Sequence, residues 1–202
     1  LSIVTVIDTV KPIVICNDTT IYLDATGSAT IDTSYILVTA VDICGIDSVY
    51  ISNNSFTCGD TGTNSVTVYA TDVNGNLDSC VANITVIDTI KPIVTCKDTT
   101  IYLDGTGSTT IDTSYILMSV TDVCGIDSVY ISNNTFNCID TGANSVTIYV
   151  TDINGNIDSC ISTVTVLDTI NPLLICKDTT IYLDALTGSA NIDTSFILVS
   201  TT

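Results

Sequence analysis

The chain has 202 residues, 46% of them apolar, and carries 22 acidic residues against four lysines for a net charge of −18; every acid is aspartate, and Arg, Glu, Gln, His and Trp are absent. That balance excludes nucleic acid as a partner, because phosphate binding rests on clustered Lys or Arg, and it disfavours anionic membrane surfaces. The lack of His removes the commonest general base and transition-metal ligand, so no enzyme is expected, and no apolar run reaches the roughly 18 residues of a membrane span.

Residues 1–6 (LSIVTV) match the close of a repeat and are expected to be the last strand of a preceding unit. Residues 7–86 form one unit and 87–166 the next, with IDTVKPIVICNDTTIYLD aligning with IDTIKPIVTCKDTTIYLD, and Cys16 and Cys96 standing 80 positions apart. Residues 167–202 open a third unit (LDTINPLLICKDTTIYLD) that is truncated, so the parent protein is expected to be longer. Every Asp of the first unit recurs one period later, which ties the charge to fixed places in a fold and argues against a disordered acidic tail.

Within a unit, Ile21 and Leu23 flank an outward Tyr22, and Asp24-Ala25-Thr26-Gly27 reads as a turn. Val49 and Ile51 then flank an outward Tyr50. Ser65 to Asp72 alternates, with Val66, Val68 and Ala70 on one face. Val73-Asn74-Gly75-Asn76 supplies a turn, and Cys80, Ala82, Ile84 and Val86 share the inward parity of the return strand. Short strands at this spacing, with no helical stripe, predict an all-β fold of tandem immunoglobulin-like β-sandwiches with about seven strands per 80-residue unit. The joint from Val86 to Pro92 has no Gly/Ser run, so the array is expected to be a semi-rigid rod.

Each full unit has four cysteines: Cys16, Cys44, Cys58 and Cys80, then Cys96, Cys124, Cys138 and Cys160, with Cys176 opening the third unit. Without His or a CxxC spacing they predict disulfides and an oxidising compartment, and no zinc site. Three pairings are possible in a unit. The expected one joins Cys16 to Cys80, as partners on adjacent first and last strands, and Cys44 to Cys58 across the middle strand. Its repeat joins Cys96 to Cys160 and Cys124 to Cys138, and leaves Cys176 a partner outside the fragment.

The motifs Asp8-Thr9…Pro12…Cys16, Asp42…Cys44-Gly45-Ile46, Phe56…Cys58 and Asp72…Asn74-Gly75-Asn76…Ser79-Cys80 resemble the hyalin-type (HYR-like) immunoglobulin repeats of giant surface adhesins in gliding and predatory bacteria. The resemblance covers essentially the whole chain. It implies secretion, a cell-surface location, and service as a stalk or filament in attachment, gliding or prey capture. Where those repeats have DNCG, this chain has Ile43 and Val123 in place of the Asn.

Three kinds of site are expected beyond the disulfides. In an immunoglobulin-like unit the incoming linker shares an end with the loops that hold Asp42 and Asp72. Asp8, Asp42, Asp72 and Asn74 could therefore converge on Ca²⁺, as could Asp88, Asp122, Asp152 and Asn154; the same residues also make ordinary turns. Asp-Thr and Asp-Ser steps at Thr9, Thr19, Ser48, Thr89, Thr99, Ser128, Thr169 and Thr179 resemble a bacterial O-glycan acceptor, or simply place hydroxyls at strand ends. Outward Tyr22, Tyr50 and Tyr69 could pack chains side by side or stack on sugars. The expected partners are neighbouring repeats, further chains of a filament, and surface glycans or target cells. The competing readings are a passive coat or sheath, and a spacer or carbohydrate-binding module of a secreted enzyme.

Overall fold

The computed structural model describes residues 2–201. The first repeat contributes eight strands: β1 (Ile13–Cys16), β2 (Thr19–Tyr22), β3 (Ser28–Thr30), β4 (Leu37–Val41), β5 (Ile46–Ile51), β6 (Ser55–Thr57), β7 (Gly62–Asp72) and β8 (Leu77–Ile87). The second repeats them as β9 (Ile93–Cys96), β10 (Thr99–Tyr102), β11 (Ser108–Thr110), β12 (Leu117–Thr121), β13 (Ile126–Ile131), β14 (Thr135–Asn137), β15 (Gly142–Asp152) and β16 (Ile157–Leu167). Beyond them lie β17 (Leu174–Cys176), one helical turn α1 (Thr194–Ile197) and β18 (Leu198–Thr201). The eighth strand per unit is the short β3–β6 ladder's doing, since three-residue strands are too brief for an alternation to register in the sequence.

In the first repeat β2, β8, β7 and β5 form one sheet, with β2 parallel to β8 and the other pairs antiparallel. The ladders β1–β4 and β3–β6 cover its inner face. This is an immunoglobulin-like sandwich, and the second repeat copies it as β10-β16-β15-β13 with β9–β12 and β11–β14. The β17–β18 ladder repeats the β1–β4 pairing, including the register shift before the cysteine.

The long hairpin carries the core because its alternation suits a sheet with one dry face. Val66, Val68 and Ala70 of β7 and Ala82, Ile84 and Val86 of β8 are buried, and Phe56 and Ile36 are fully enclosed between the layers. Each buried Val, Ile or Phe among them stabilises the fold by about 1.5–3 kcal/mol relative to exposure. On the opposite face Tyr50 lies directly across from Tyr69 and stacks on it at 5.1 Å, as Tyr130 does on Tyr149 at 5.0 Å. These tyrosines therefore spend part of their surface on each other, whereas Tyr22 stands 60% exposed.

Cys16 is bonded to Cys80 and Cys96 to Cys160. The bond does not join neighbours in one sheet as anticipated. β8 pairs with β2, and β1 packs on β8 from the facing layer, so each bond pins the two layers together. The expected pairs Cys44–Cys58 and Cys124–Cys138 do not form: Cys44 and Cys138 are free, and Cys58 is bonded to Cys124 of the next repeat. The reason is the length of β7. Cys44 neighbours Gly45, whose carbonyl accepts from Val73 N at the hairpin turn, while Cys58 leads through a 3₁₀ turn (Cys58–Asp60) into Gly62 at the other end of the strand. Ten residue steps at about 3.3 Å put roughly 33 Å between those ends, and no disulfide spans that. Cys176 is likewise free among the described residues.

Candidate metal centre at the near end of each unit

Three segments meet where the linker enters a unit. Asp8 or Asp88 lies in the linker, Asp42 or Asp122 in the loop after β4 or β12, and Asp72 or Asp152 at the tip of the long hairpin. The tip is shaped by its own aspartate: Asp152 Oδ1 accepts from the backbone N–H of Asn154 and Asn156, both at 2.8 Å, and Oδ2 accepts from Asn156 Nδ2 at 2.8 Å. The same Asn156 amide donates to the carbonyl of Asp88 at 3.2 Å, which ties hairpin to linker. Asn76 does this in the first repeat, donating to Asp72 Oδ2 at 2.8 Å and to the carbonyl of Asp8 at 3.3 Å.

The other two aspartates use only half of their carboxylates for structure. Asp88 Oδ1 accepts from Ile90 N at 2.9 Å, and Asp122 Oδ1 from Cys124 N at 2.8 Å and Gly125 N at 3.0 Å. Their Oδ2 atoms, and Asn154 Oδ1, are buried with no hydrogen-bond partner. Asp88 and Asp152 are 5% and 1% exposed. One ligand atom from each of Asp88, Asp122 and Asp152 lies within 4.8 Å of the other two.

Orphaned carboxylate oxygens gathered out of water are unfavourable by both desolvation and mutual repulsion, and need a compensating charge. Two oxygens bound to one Ca²⁺ at about 2.4 Å are at most about 4.8 Å apart, so the spacing fits a single hard cation. Asp88, Asp122 and Asp152 would hold it, with Asn154 supplying a neutral oxygen of the same hard class. The turn and metal readings of Asp152 are thus compatible: its hydrogen bonds shape the tip that brings the carboxylates together.

The first repeat differs in one member. Asp8 and Asp42 again carry unpartnered Oδ2 atoms, but the third group close to them is the thiol of Cys44, and Asp72 lies outside the trio. The Asp8 carboxylate beside it pushes the Cys44 thiol pKa up, and desolvation and the charges of Asp42 and Asp72 act the same way. For Asp72 burial acts to raise the carboxyl pKa, and hydrogen bonds from Asn76, Asn74 and Gly75 outweigh it, leaving it below the usual value. The expected pairing of Cys44 within its own unit gives no place for a thiol beside the acidic cluster, although Cys44 stands two residues from Asp42.

Of the hydroxyls in Asp-Thr and Asp-Ser steps, Thr9, Ser48, Thr89, Ser128, Thr169 and Thr179 are exposed, while Thr19 and Thr99 are half-buried in β2 and β10. No helix among the described residues is long and apolar enough to cross a membrane.

The chain matches no described protein-family profile. It is 29% identical over 180 residues to hyalin of Strongylocentrotus purpuratus, a match that covers 84% of this chain and 15% of hyalin. Among solved structures it is similar to human protocadherin-24 EC1-2, at 11% identity and a TM-score of 0.40, covering 80% of this chain and all of that one. It is also similar to the fibronectin(III)-like modules of Clostridium thermocellum CbhA, at 12% identity and a TM-score of 0.31, covering 78% of this chain and 94% of that one. The immunoglobulin-like assignment rests on the strand order and layering described above.

Proposed function

We propose that this chain is a non-catalytic segment of an extracellular stalk or filament, built from units laid end to end and stiffened at each joint by Ca²⁺. One observation carries the reading: the two ends of each unit lie at opposite ends of an 11-residue hairpin strand, and the near end gathers orphaned carboxylate oxygens where the preceding unit joins. Units connected this way add length with every copy, on the order of 35 Å each. A cation shared by linker, loop and hairpin would resist bending at the joint, because changing the angle pulls its ligands apart.

Three disulfides favour an oxidising, extracellular setting. The similarity to hyalin supports a structural or adhesive role outside the cell, and the HYR-like motifs favour a giant bacterial surface adhesin. An electron micrograph of the source cells, labelled with an antibody against residues 87–166, tests this. Label along thin fibres leaving the cell is the expected result. A continuous labelled layer would make the protein a coat, and compact particles in the medium would make it a spacer of a secreted enzyme; either outcome overturns the stalk.

A further inference from the structure

The bond between Cys58 and Cys124 joins two consecutive units, with their Cα atoms 5.2 Å apart. Each half comes from a part of the unit that recurs. Cys58 belongs to the far end, where its sulfur lies 3.7 Å from the carbonyl of Gly27 and 3.6 Å from that of Val123. Gly27 has a φ of +72°, and a Cβ there would stand 2.8 Å from the Cys58 sulfur and 3.0 Å from Val123 Cγ2, so the missing side chain is the notch that admits the neighbour. Gly107, at φ +74°, leaves the same notch, with the sulfur of Cys138 2.8 Å from where its Cβ would be.

The near end repeats as well, and the joint shows what covers it. Val123, seated against the far end of the first unit, is 40% exposed, whereas its counterpart Ile43 is 90% exposed. Ile90 is half-buried where its counterpart Val10 is 57% exposed. Val10 and Ile43 are thus the apolar near-end residues whose counterparts the joint covers, while Ile93, the counterpart of Ile13, stays 67% exposed beside it.

We propose that the inter-unit disulfide is a staple repeated at every joint, and that the free thiols Cys44 and Cys138 are its two open halves. Cys44 receives the far-end cysteine of a preceding unit of this kind, and Cys138 the near-end cysteine of a following one. Closure converts two thiols to one S–S bond by exchange with a disulfide oxidant, which takes up the two electrons and leaves as two thiols. The staple gives each joint a second covalent path, so a break in the linker between Asp88 and Pro92 leaves the units connected.

Thiol counting tests this directly. The oxidised chain, unfolded without reductant in the presence of iodoacetamide, should take up three alkyl groups, on Cys44, Cys138 and Cys176. Pairing within units would leave only Cys176 to react, and a single label would overturn the staple. In a longer chain with one further copy of residues 87–166 inserted after Val166, the count should remain three, because Cys138 now closes on the inserted copy. A count of five there would show that the bond belongs to one joint only, and would equally overturn the proposal.

Discussion

Chelating calcium from the purified chain should lower its unfolding temperature by roughly 10–20 °C. A ligand at 100 times its Kd stabilises the folded state by about 2.7 kcal/mol, and a domain of 60–100 residues shifts by about 4–8 °C per kcal/mol. The effect should be large because, without the cation, the cluster pays for buried like charges: Asp88 and Asp122 each keep an oxygen with no partner. Asp88→Asn keeps the volume and the Oδ1 acceptor for Ile90 N while removing one charge. In that variant the second unit should lose most of its response to calcium and gain stability in the chelated state. Differential scanning calorimetry with EGTA and with added CaCl₂ reads both effects, and an unfolding temperature unmoved by chelation would remove the metal from the joint.

Replacing Cys16 and Cys80 together by Ala should destabilise the first unit by about 4 kcal/mol, the chain-entropy value for a loop of this length. The bond closes a separation of 64 residues. It also crosses between layers, so its loss frees β1 from β8 as well as loosening the unfolded-state constraint. An 80-residue sandwich has a total stability of the order of 5–10 kcal/mol, so the variant should keep only about 1–6 kcal/mol and unfold at a much lower urea concentration than the parent. Urea unfolding followed by tyrosine fluorescence measures this, with a midpoint within error of the parent as the contrary result. The second unit, with its own Cys96–Cys160 bond, serves as an internal reference.

Much of the fold was legible because one dry face writes itself into a strand as a period of two. Val66, Val68, Ala70, Ala82, Ile84 and Val86 were placed inward from alternation and are buried. The acidic cluster was legible for a related reason: Asp88, Asp122 and Asp152 sit in three loops that an immunoglobulin-like topology gathers at one end. The disulfide pairing was not, since it depends on which ends of neighbouring units face each other. One clue was present. The run Gly62–Asp72 is long enough to carry Cys58 away from the end that holds Cys44. The cross-sheet stacking of Tyr50 on Tyr69 was equally hidden, because strand register decides which outward residues become neighbours.

Small-angle X-ray scattering of the oxidised, calcium-loaded chain bears most directly on whether units joined in this way build a stalk. A compact globule of 202 residues has a radius of gyration of about 17 Å, whereas units of about 35 Å laid end to end give a rod of roughly 80 Å or more and a radius of gyration of about 23 Å or more. The larger value, with a scattering profile that loses its rod-like form when calcium is chelated and the disulfides are reduced, is the expected result. A radius near 17 Å, meaning units folded back on one another, would contradict the stalk.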